Sequence, residues 1–513
     1  MSSRSNTTLI SHFDCPGGGQ VWVEGTTLFI GHMHWPSGTT IVDVADPRQP
    51  RKLATIDLPQ GWHSHKVRVA NGIMIVNHER LGESGSAEFG GGIAIYDVSR
   101  PSTPKLITTW RTAGRGVHRY DFDGRYAYLS PTAEGYVGNI MMILDLADPA
   151  RPVEVGRWWI PGQWKAGGEP YPWDNSPGPR CHHPLRMGNR LYVSYWHHGL
   201  FILDISDMAR PKAVAHAETS PAFAHPTHTC LPIPQSLKGR RIMVVADEDV
   251  AKLRPSSPSF AWIYDITLEQ LPVPIATFQV AGLDVDGSPQ PPMSGCHQPS
   301  ERFHGTVIPF AWFAQGLRLV DIADPFVPRE VGHFLPHPAD GEERPSSNDV
   351  TVDDRGLIYL VDRVRGVDII EARDCTEDQP MQDARATRKD IYPIGKKNPN
   401  LPFHPAVRAG DFIFVSGQVA KDADGNMISG TIEEETRGTI EAIRRTLAEE
   451  GATLSDVVRV TTYLGDARDF GRYNRVFAEH FKDAVLARTT VEARAVINTK
   501  IEMDAIAYKP RGG

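Results

Sequence analysis

The sequence predicts a multidomain protein in which an all-β, seven-bladed β-propeller precedes a small α+β domain. Its 513 residues exceed what one ordinary hydrophobic core accommodates, so two or more domains are expected. One short phrase recurs seven times in the N-terminal part, and the composition changes after its last copy. These observations predict a propeller over residues 1–373, a linker over 374–390 and a second domain over 391–513.

The recurring phrase is an apolar, β-branched strand that ends near an aspartate and runs into a proline-containing turn. Its copies are IVDVADPRQP, IYDVSRPSTP, ILDLADPARP, ILDISDMARP, IYDITLEQLP, LVDIADPFVP and a divergent GVDIIEARDC. Proline fixes φ and donates no ladder hydrogen bond, so it ends the strand. The aspartates recur about every fifty residues from Asp43 to Asp368, which is the length of a four-stranded blade.

Two further strands precede each phrase and one follows it. In VHRYDFDGRYAYLS, alternating apolar residues flank a glycine turn, and PVEVGRWW supplies a fourth strand. The N-terminal segment GGGQVWVEGTTLFIG is expected to close the ring against the last copy.

The composition excludes several classes of partner. The net charge is −8 with no Lys/Arg tract, so neither nucleic acid nor an anionic membrane surface is expected to bind. The N-terminus has no signal-peptide pattern, and no apolar run is long enough to span a bilayer. Five cysteines without regular spacing fit a reducing compartment. The prediction is a soluble, cytoplasmic protein.

Histidines occupy one equivalent position in five consecutive blades. When the blades are aligned on their first strand, the residue two positions before the first inward apolar residue is histidine five times, and Gly19 or Asn348 in the other two. Because first strands line the central channel of a propeller, these imidazoles are expected to converge on one point. The predicted metal ligands are His65, His118, His183, His228 and His304.

Other polar residues are expected around the same mouth. The ends of the second strands carry His32, His34, His78, Glu79, His197 and His198. Candidates for contact with a substrate or a second metal are His63, His182, His225 and His297, and the predicted substrate-binding residues of this unit are His182 and His198. Asp247, Glu248 and Asp249 are predicted to form a solvated loop rather than to act as ligands.

The type of ligand restricts the metal. Clustered neutral imidazoles suit Fe(II), Cu or Zn and disfavour Mg²⁺ and Ca²⁺, which take oxygen ligands. By analogy alone, the site resembles the four-histidine iron centre of carotenoid-cleaving oxygenases, which also lies on a propeller axis. Fe(II) is the predicted cofactor and copper the next choice. Open coordination positions favour an oxidative reaction, with Lewis-acid hydrolysis or lysis as the alternative.

The second domain follows a charged segment that lacks strand periodicity. It is predicted to contain the strand DFIFVSGQVA, a helix from about Thr431 with a capping-box pattern at Thr431 and Glu434, and the strand VVRVTTYLGD. A second helix carries Phe470, Tyr473 and Phe477 on one stripe, and the strands RTTVEARAV and IEMDAIAYK complete a compact α+β domain.

Both parts resemble known families. The repeats resemble the LVIVD family of propeller repeats, and the overall plan is similar to selenium-binding proteins, which would suggest copper. The segments FVSGQVA, VVRVTTYL, YNRVFAEHF, ARTTVEARAV and IEMDAIA resemble the Rid (YjgF/UK114) family over nearly all of residues 391–510. This resemblance implies a chorismate-mutase-like fold, trimers with sites between subunits and, in some members, hydrolysis of enamines and imines to ketones and ammonia.

The Rid resemblance also implies roles for individual residues. Arg488 matches the arginine that pairs with a substrate carboxylate, a task suited to a bidentate donor. Glu502 matches the acid that positions the attacking water, and Asn474 and Gly417 match pocket residues. The chain departs from the family at Phe403, where a tyrosine is usual, and at Thr490, where a cysteine is usual.

Together these features predict a bifunctional metalloenzyme. The propeller centre would oxidise an amino-bearing small molecule that also carries a carboxylate, and the Rid-like domain would hydrolyse the enamine or imine product. Tethering would raise the local concentration of the second site. The alternatives are a metal-dependent hydrolase or lyase and a trimeric scaffold whose propeller is not catalytic.

Overall fold

The computed structural model describes residues 4–81, 89–173, 178–220, 222–250, 259–280, 292–373, 391–395, 401–422 and 425–510. The chain divides into two compact units, Met1–Cys375 and Thr376–Gly513. The predicted linker, residues 374–390, lies outside the described residues.

The first unit contains seven antiparallel sheets that follow one another along the chain. Sheet 1 consists of β3 (Gly18–Glu24), β4 (Thr27–His32), β5 (Ser37–Asp43) and β6 (Arg51–Asp57). Sheet 2 consists of β7 (Trp62–His63), β8 (Val67–Ala70), β9 (Ile73–Arg80), β10 (Gly92–Asp97) and β11 (Lys105–Arg111). Sheet 3 consists of β12 (Val117–Phe122), β13 (Tyr126–Pro131), β14 (Met141–Asp145) and β15 (Val153–Trp158).

The next three sheets repeat this meander. Sheet 4 consists of β16 (His183–Met187), β17 (Arg190–Ser194), β18 (Leu200–Asp204) and β19 (Lys212–Ala217). Sheet 5 consists of β20 (Thr227–Pro232), β21 (Ile242–Asp247), β22 (Ala261–Asp265) and β23 (Val273–Phe278). Sheet 6 consists of β24 (Gln298–Pro299), β25 (Val307–Ala311), β26 (Leu317–Asp321) and β27 (Arg329–Phe334), with β1 (Arg4–Ser5) at its edge.

Sheet 7 joins the two ends of the unit. Its strands β28 (Ser347–Val352), β29 (Leu357–Asp362) and β30 (Gly366–Ala372) are completed by the N-terminal strand β2 (Thr7–Asp14), which pairs with β30. The first strands of neighbouring sheets, with β8 as that of sheet 2, contact each other in order from sheet 1 to sheet 7, and β28 contacts β3. The seven first strands therefore form a closed cycle.

The repeated aspartate ends a strand and starts a turn. In sheets 1 to 6 it is the last residue of the strand that precedes the final strand of the meander, as in Asp43, Asp145 and Asp321. The Asp145 carboxylate accepts a hydrogen bond from the backbone N–H of Ala147 at 2.8 Å, and Asp43 accepts one from Ala45 at 3.0 Å. This local bond, together with the proline that follows in most copies, explains why the sequence repeat marks the end of a strand.

The second unit is a mixed sheet covered on one face by two helices. The sheet order is β31 (Ile391–Ile394), β32 (Ala406–Ala409), β33 (Phe412–Gln418), β36 (Ile501–Tyr508), β34 (Val457–Leu464) and β35 (Ala487–Glu492). The helices are α1 (Ile432–Ala448) and α2 (Phe470–His480). Thr431 caps α1, and it and Glu434 form the predicted capping box. Among the described residues, no helix is both long and apolar enough to cross a membrane.

Candidate functional site

The first strands of the seven sheets bring one residue each to the same level of the first unit. These equivalent residues are Gly19, His65, His118, His182, His228, His297 and Asn348. Successive histidine rings of this level lie 4.3–5.0 Å apart between centroids, from His65 through to His297. We call His65, His118, His182, His228 and His297 the histidine arc.

Two of the predicted ligands, His183 and His304, do not lie at this level. Sheets 3 and 5 each have a β-bulge in the first strand, at His118 and at His228, where the first strand has one more residue than its partner. Sheet 4 pairs regularly from His183 onward, so the equivalent residue is one position earlier, at His182. Because side chains alternate along a strand, His183 points to a different level from the arc.

His304 is further from the arc. It follows the short strand β24, its Nε2 lies 3.4 Å from the carbonyl oxygen of Asp353, and it lines a cavity of about 410 Å³ with Arg302 and Phe303. The histidine of sheet 6 that joins the arc is His297. One sequence signal points to this residue: Cys181-His182-His183-Pro184 and Cys296-His297-Gln298-Pro299 share the pattern Cys-His-x-Pro.

Hydrogen bonds fix the orientation of four of the arc histidines. His182 Nδ1 donates to the carbonyl oxygen of His228 at 2.8 Å, and His297 Nδ1 donates to that of Asn348. His118 Nδ1 donates to Glu79 Oε2 at 2.7 Å. In each of these rings the proton is held on Nδ1, so the lone pair of the neutral imidazole is on Nε2.

The fourth assignment comes from Thr229. Its hydroxyl donates to Gln298 Oε1 at 2.9 Å, so it accepts from His228 Nδ1 at 3.0 Å and from His183 Nδ1 at 3.2 Å. His228 therefore also presents an Nε2 lone pair. His65 differs from the other four, because its Nδ1 faces the Asn77 side-chain amide N–H at 3.3 Å.

The Nε2 atoms of His118 and His182 are only 3.0 Å apart. Both carry lone pairs in the tautomers that their Nδ1 bonds impose, so the two atoms repel each other unless a proton or a cation lies beside both. Two nitrogen ligands about 2.1 Å from one ion and at right angles to each other are about 3.0 Å apart. The pair therefore has the spacing of adjacent ligands of one metal ion.

Two carboxylates complete the cluster. Glu248 Oε2 lies 3.8 Å from His228 Nε2, and Glu248 Oε1 lies 4.0 Å from His297 Nε2. His182, His228 and Glu248 form one group whose ligand atoms lie within 4.8 Å of one another, and His63, His65 and Glu79 form a second. Glu79 Oε2 already accepts from both His63 Nε2 and His118 Nδ1, so its arrangement is that of a carboxylate that orients a ligating histidine.

The prediction of a solvated loop at Asp247, Glu248 and Asp249 is wrong. Asp247 and Asp249 are buried, and Glu248 is only partly accessible. Asp247 accepts hydrogen bonds from the backbone of Phe260 and from the Trp262 indole, which keeps this segment packed against sheet 5. Acidic composition alone suggested exposure, whereas tertiary hydrogen bonds determine the burial.

Burial sets the protonation of the cluster. It lowers the pKa of His118 to about 3, and it lowers the pKa values of His65, His182, His228 and His297 well below the usual range, with nearby positive charge contributing. Burial alone would raise the pKa of Glu79, but His118 and His63 outweigh it and hold that pKa well below its usual value. The imidazoles are therefore neutral, as metal ligands must be.

A second polar level lies one residue further along each first strand. Its members are Gln20, Lys66, Arg119, His183, Thr229, Gln298 and Asp349. Arg119 donates to His228 Nε2 at 3.3 Å and to Glu301 at 3.4 Å, and Glu301 also pairs with Arg68. His183 Nε2 lies 3.4 Å from Glu301 Oε1. His183 thus supports the arc rather than belonging to it.

The ends of the second strands line the other side of the arc. On each second strand, one residue pairs with the first-strand residue of the second polar level, and the residue two positions after it lies here. These residues are Met33, Glu79, Thr132, Trp196, Glu248, Phe313 and Arg363. We call them the mouth residues. Of the residues expected here, only Glu79 is one of them. The predicted substrate ligand His198 instead packs against Trp173, with ring centroids 5.2 Å apart.

The residues present fit a transition metal. Each of the four arc histidines other than His65 has its Nδ1 hydrogen-bonded, as ligating histidines usually do. Among the described residues, His182, His228 and Glu248 place their ligand atoms within 4.8 Å of one another, and the Nε2 of His228 accepts a hydrogen bond from Arg119 that an ion would have to replace. A mixed imidazole and carboxylate set suits Fe(II) better than Cu(I).

In the second unit, the predicted residues divide between the two faces of the sheet. Arg488 pairs in register with the buried Val460 and lies over the ring of Phe477 at 4.6 Å, which places it on the face that the helices cover. Thr490 pairs with the buried Thr462 on the same face, and Asn474 is half-buried on α2.

Glu502 and Gly417 lie on the opposite face. Glu502 pairs in register with the half-buried Tyr463, and a Cβ atom added to Gly417 would lie 2.1 Å from Glu502 Oε1. Both residues line a cavity of about 370 Å³ together with Arg494 and Asp504. Phe403 is 51% exposed and lies in the segment before β32. One copy of the chain therefore does not bring Arg488 and Glu502 to the same face.

Comparison with known proteins agrees with this fold. The family model described as Endoribonuclease L-PSP matches residues 395–509, and a RutC family protein of Pyrococcus abyssi is 44% identical over 125 residues, which are 24% of this chain and 94% of that protein. This chain belongs to the RutC (Rid) family. Protein mmf2 of Schizosaccharomyces pombe, a mitochondrial member, is 42% identical over 21% of this chain and 86% of its own length.

The predicted Rid resemblance is confirmed, and the LVIVD resemblance is confirmed over residues 87–112, 123–159 and 187–219, which match the LVIVD repeat model. The crystal structure of yeast Mmf1 is 28% identical over 23% of this chain and 98% of its own, with a TM-score of 0.22. The similarity to selenium-binding proteins stays a prediction.

Proposed function

We propose that the first unit is a seven-bladed β-propeller that binds a transition metal at the histidine arc and oxidises an amino-bearing small molecule. The RutC-family domain then hydrolyses the enamine or imine product and releases ammonia. Seven meandering sheets with cyclic contacts between their first strands support the propeller. Equivalent residues at three successive levels support a common axis.

The contact between His118 Nε2 and His182 Nε2 is the observation that carries the metal proposal. His118, His182 and His297 would hold the ion through Nε2, with Glu248 as the carboxylate ligand, and His228 would join them once the ion replaces the hydrogen bond from Arg119 to its Nε2. Fe(II) is the proposed ion and copper the next choice. When bound, such an ion supplies redox chemistry with dioxygen at open coordination positions.

The chain's own residues prepare this chemistry. Glu79, Thr229 and the two backbone carbonyl oxygens that bond His182 and His297 hold the imidazoles in one tautomer and one orientation. Burial keeps the imidazoles neutral and limits access of water to the site. His65 is proposed to support the arc rather than to act as a ligand, since its Nδ1 contacts Asn77.

For the second reaction, we propose that the domain forms a trimer. Arg488 and Glu502 lie on opposite faces of their own sheet, so a shared site needs Arg488 from one copy and Glu502 from its neighbour. The face that carries Glu502 also exposes apolar side chains of Phe412, Phe414 and Tyr508. An exposed apolar face of this kind favours association.

In the assembled site, Arg488 would hold the substrate carboxylate and Glu502 would position water for attack on the imine carbon. The absence of a Cβ at Gly417 leaves the space that Glu502 Oε1 fills. The description of the family model also makes RNA hydrolysis an alternative reaction for this domain. Ammonia release, compared with cleavage of an RNA oligonucleotide, distinguishes the two.

Metal analysis tests the proposal. Chain purified without chelator is expected to hold about one equivalent of Fe or Cu, because neutral preoriented imidazoles bind these ions tightly. His118→Ala, His182→Ala and His297→Ala should each lose most of it, whereas His304→Ala, outside the arc, should retain it. Absence of metal in the parent chain, or equal retention in all four variants, would rule out the centre.

A further inference from the structure

One of the five arc histidines presents a hydrogen-bond donor where the other four present lone pairs. His65 lies at the level of the arc, and its ring centroid is 5.0 Å from that of His118. Its Nδ1 lies 3.3 Å from the side-chain nitrogen of Asn77. The direction of this hydrogen bond decides where the His65 proton is, because a neutral imidazole has one N–H and one lone pair.

The backbone fixes the orientation of the Asn77 amide. Its Oδ1 accepts from the backbone N–H of Lys66 at 2.8 Å, and its Nδ2 donates to the carbonyl oxygen of Val117 at 2.9 Å. Exchanging the two atoms would place N–H against N–H and oxygen against oxygen. The second N–H of Asn77 therefore donates to His65 Nδ1, which has to carry the lone pair. The His65 proton is then on Nε2.

The His65 ring has the same orientation in its sheet as the ligating rings have in theirs. In sheet 4, His182 Nδ1 donates directly to a carbonyl oxygen of the next first strand, that of His228. In sheet 2, the Asn77 amide lies between His65 Nδ1 and the next first strand, at Val117. Nδ1 of His65 thus faces the next sheet as it does in sheet 4, and its Nε2 faces the arc as the Nε2 lone pairs do.

The Nε2–H of His65 is buried and unused. His65 is only 4% exposed, and within the part of the chain that the structure describes its Nε2 has no hydrogen-bond partner. The neighbouring Glu79 carboxylate accepts instead from His63 at 2.9 Å and from His118 at 2.7 Å. A buried donor without a partner is unfavourable, so a molecule that accepts a hydrogen bond from it gains affinity.

We propose that His65 donates a hydrogen bond from Nε2 to an anionic atom of the small molecule that binds beside the proposed metal centre. A compact negative charge is the favoured acceptor, because a hydrogen bond to an ionised group is about twice as strong as one to a neutral group. The inference rests on the proposed metal site. It separates two tasks within the arc, since the other histidines hold the ion with lone pairs and His65 holds the molecule with an N–H.

Azide is the probe for this donor, because it is a small anion that gives a visible absorption band when it binds Fe(III) or Cu(II). The metal-loaded full-length chain is oxidised with hexacyanoferrate(III) and titrated with azide, and its metal content is measured separately. His65→Leu should hold as much metal as the parent but bind azide roughly tenfold to a hundredfold more weakly, the effect of a lost hydrogen bond to a charged group. His65→Gln should restore most of the affinity, because its amide offers both an acceptor to Asn77 and an N–H to the anion.

Asn77→Asp tests the tautomer while the His65 ring stays in place. Aspartate still accepts from the Lys66 N–H, but it replaces the N–H that faces His65 with an acceptor. The His65 proton is then drawn to Nδ1, and azide binding should weaken as in His65→Leu. His304→Leu is the matched control, because His304 lies outside the arc and its loss should leave azide affinity unchanged. Circular dichroism and thermal unfolding show whether each variant is folded, and if His65→Leu is not, Asn77→Asp decides.

The outcomes separate this inference from the metal proposal. A parent chain without metal would refute both. Equal azide affinity in the metal-loaded parent and His65→Leu chains would overturn the role of His65 alone, as would a metal-loaded parent that binds no azide. Loss of metal from His65→Leu to the extent expected for His118→Ala would show that His65 is a ligand instead. Parent-like azide affinity in Asn77→Asp would overturn the tautomer on which the donor depends.

Discussion

Thr229→Val is expected to weaken metal binding without removing a ligand. The Thr229 hydroxyl is buried, accepts Nδ1 protons from His228 at 3.0 Å and His183 at 3.2 Å, and donates to Gln298 at 2.9 Å. Valine keeps the shape but makes none of these bonds. His228 is then no longer held with its lone pair on Nε2.

The substitution is expected to lower both the metal affinity and the folding free energy by amounts that can be measured. Loss of a residue that orients a ligating histidine typically lowers metal affinity about 10–100-fold. Leaving buried polar groups without partners costs about 1–3 kcal/mol of folding free energy. The dissociation constant is measured by competition with a chromogenic chelator, and the free energy of unfolding by urea titration.

Thr39→Val is the matched control. Thr39 is also a buried strand residue of the first unit, and its hydroxyl has no hydrogen-bond partner in the part of the chain that the structure describes. This variant should leave metal affinity unchanged and cost little or no stability. If Thr229→Val binds metal as tightly as Thr39→Val, the tautomer argument for the arc is wrong.

Three predictions concern the second unit. Arg488→Ala and Glu502→Ala should leave substrate consumption near the parent rate while ammonia release, followed over seconds, falls by one to a few orders of magnitude; unchanged ammonia release in both would mean that this site is idle. Unfolding these two variants together and refolding them should restore about a quarter of the sites, since random trimers pair an intact arginine with an intact neighbouring glutamate at that frequency; no recovery would contradict a shared site. Gly417→Ala should displace Glu502 and reduce ammonia release with no change in metal content, because its Cβ would lie 2.1 Å from Glu502 Oε1; full ammonia release would show that the close approach is unimportant.

The sequence predicts the repeating elements well because their signals are local. Asp145 and its equivalents end strands through a bond to a backbone N–H two residues away, and Thr431 caps α1 through a bond to Glu434. Both signals are visible in a few residues of sequence. The positions of Gly19 and Asn348 at the level of the arc also follow from the strand alignment.

The sequence-based expectations differ from the structure where strand register or tertiary contacts determine the position of a residue. His182 rather than His183 joins the arc because sheet 4 lacks the extra residue that sheets 3 and 5 accommodate, and a one-residue shift reverses the direction of a strand side chain. Glu248 faces two histidines because neighbouring residues are buried by hydrogen bonds from sheet 5. Neither pairing register nor tertiary burial can be read from composition.

The pairing of β2 with β30 has a consequence for how the protein is made. Thr7 pairs with Ala372, so the strand that completes sheet 7 is synthesised long before the other strands of that sheet and finds its partner only after they have been made. Contacts between residues so distant in sequence form slowly, because a long loop must close first. Until then the five arc histidines stand on sheets whose ends are not yet joined. The nascent chain therefore passes through a stage in which the residues of the proposed metal site are already translated but not yet assembled, and the proposal predicts that metal loading follows closure rather than precedes it.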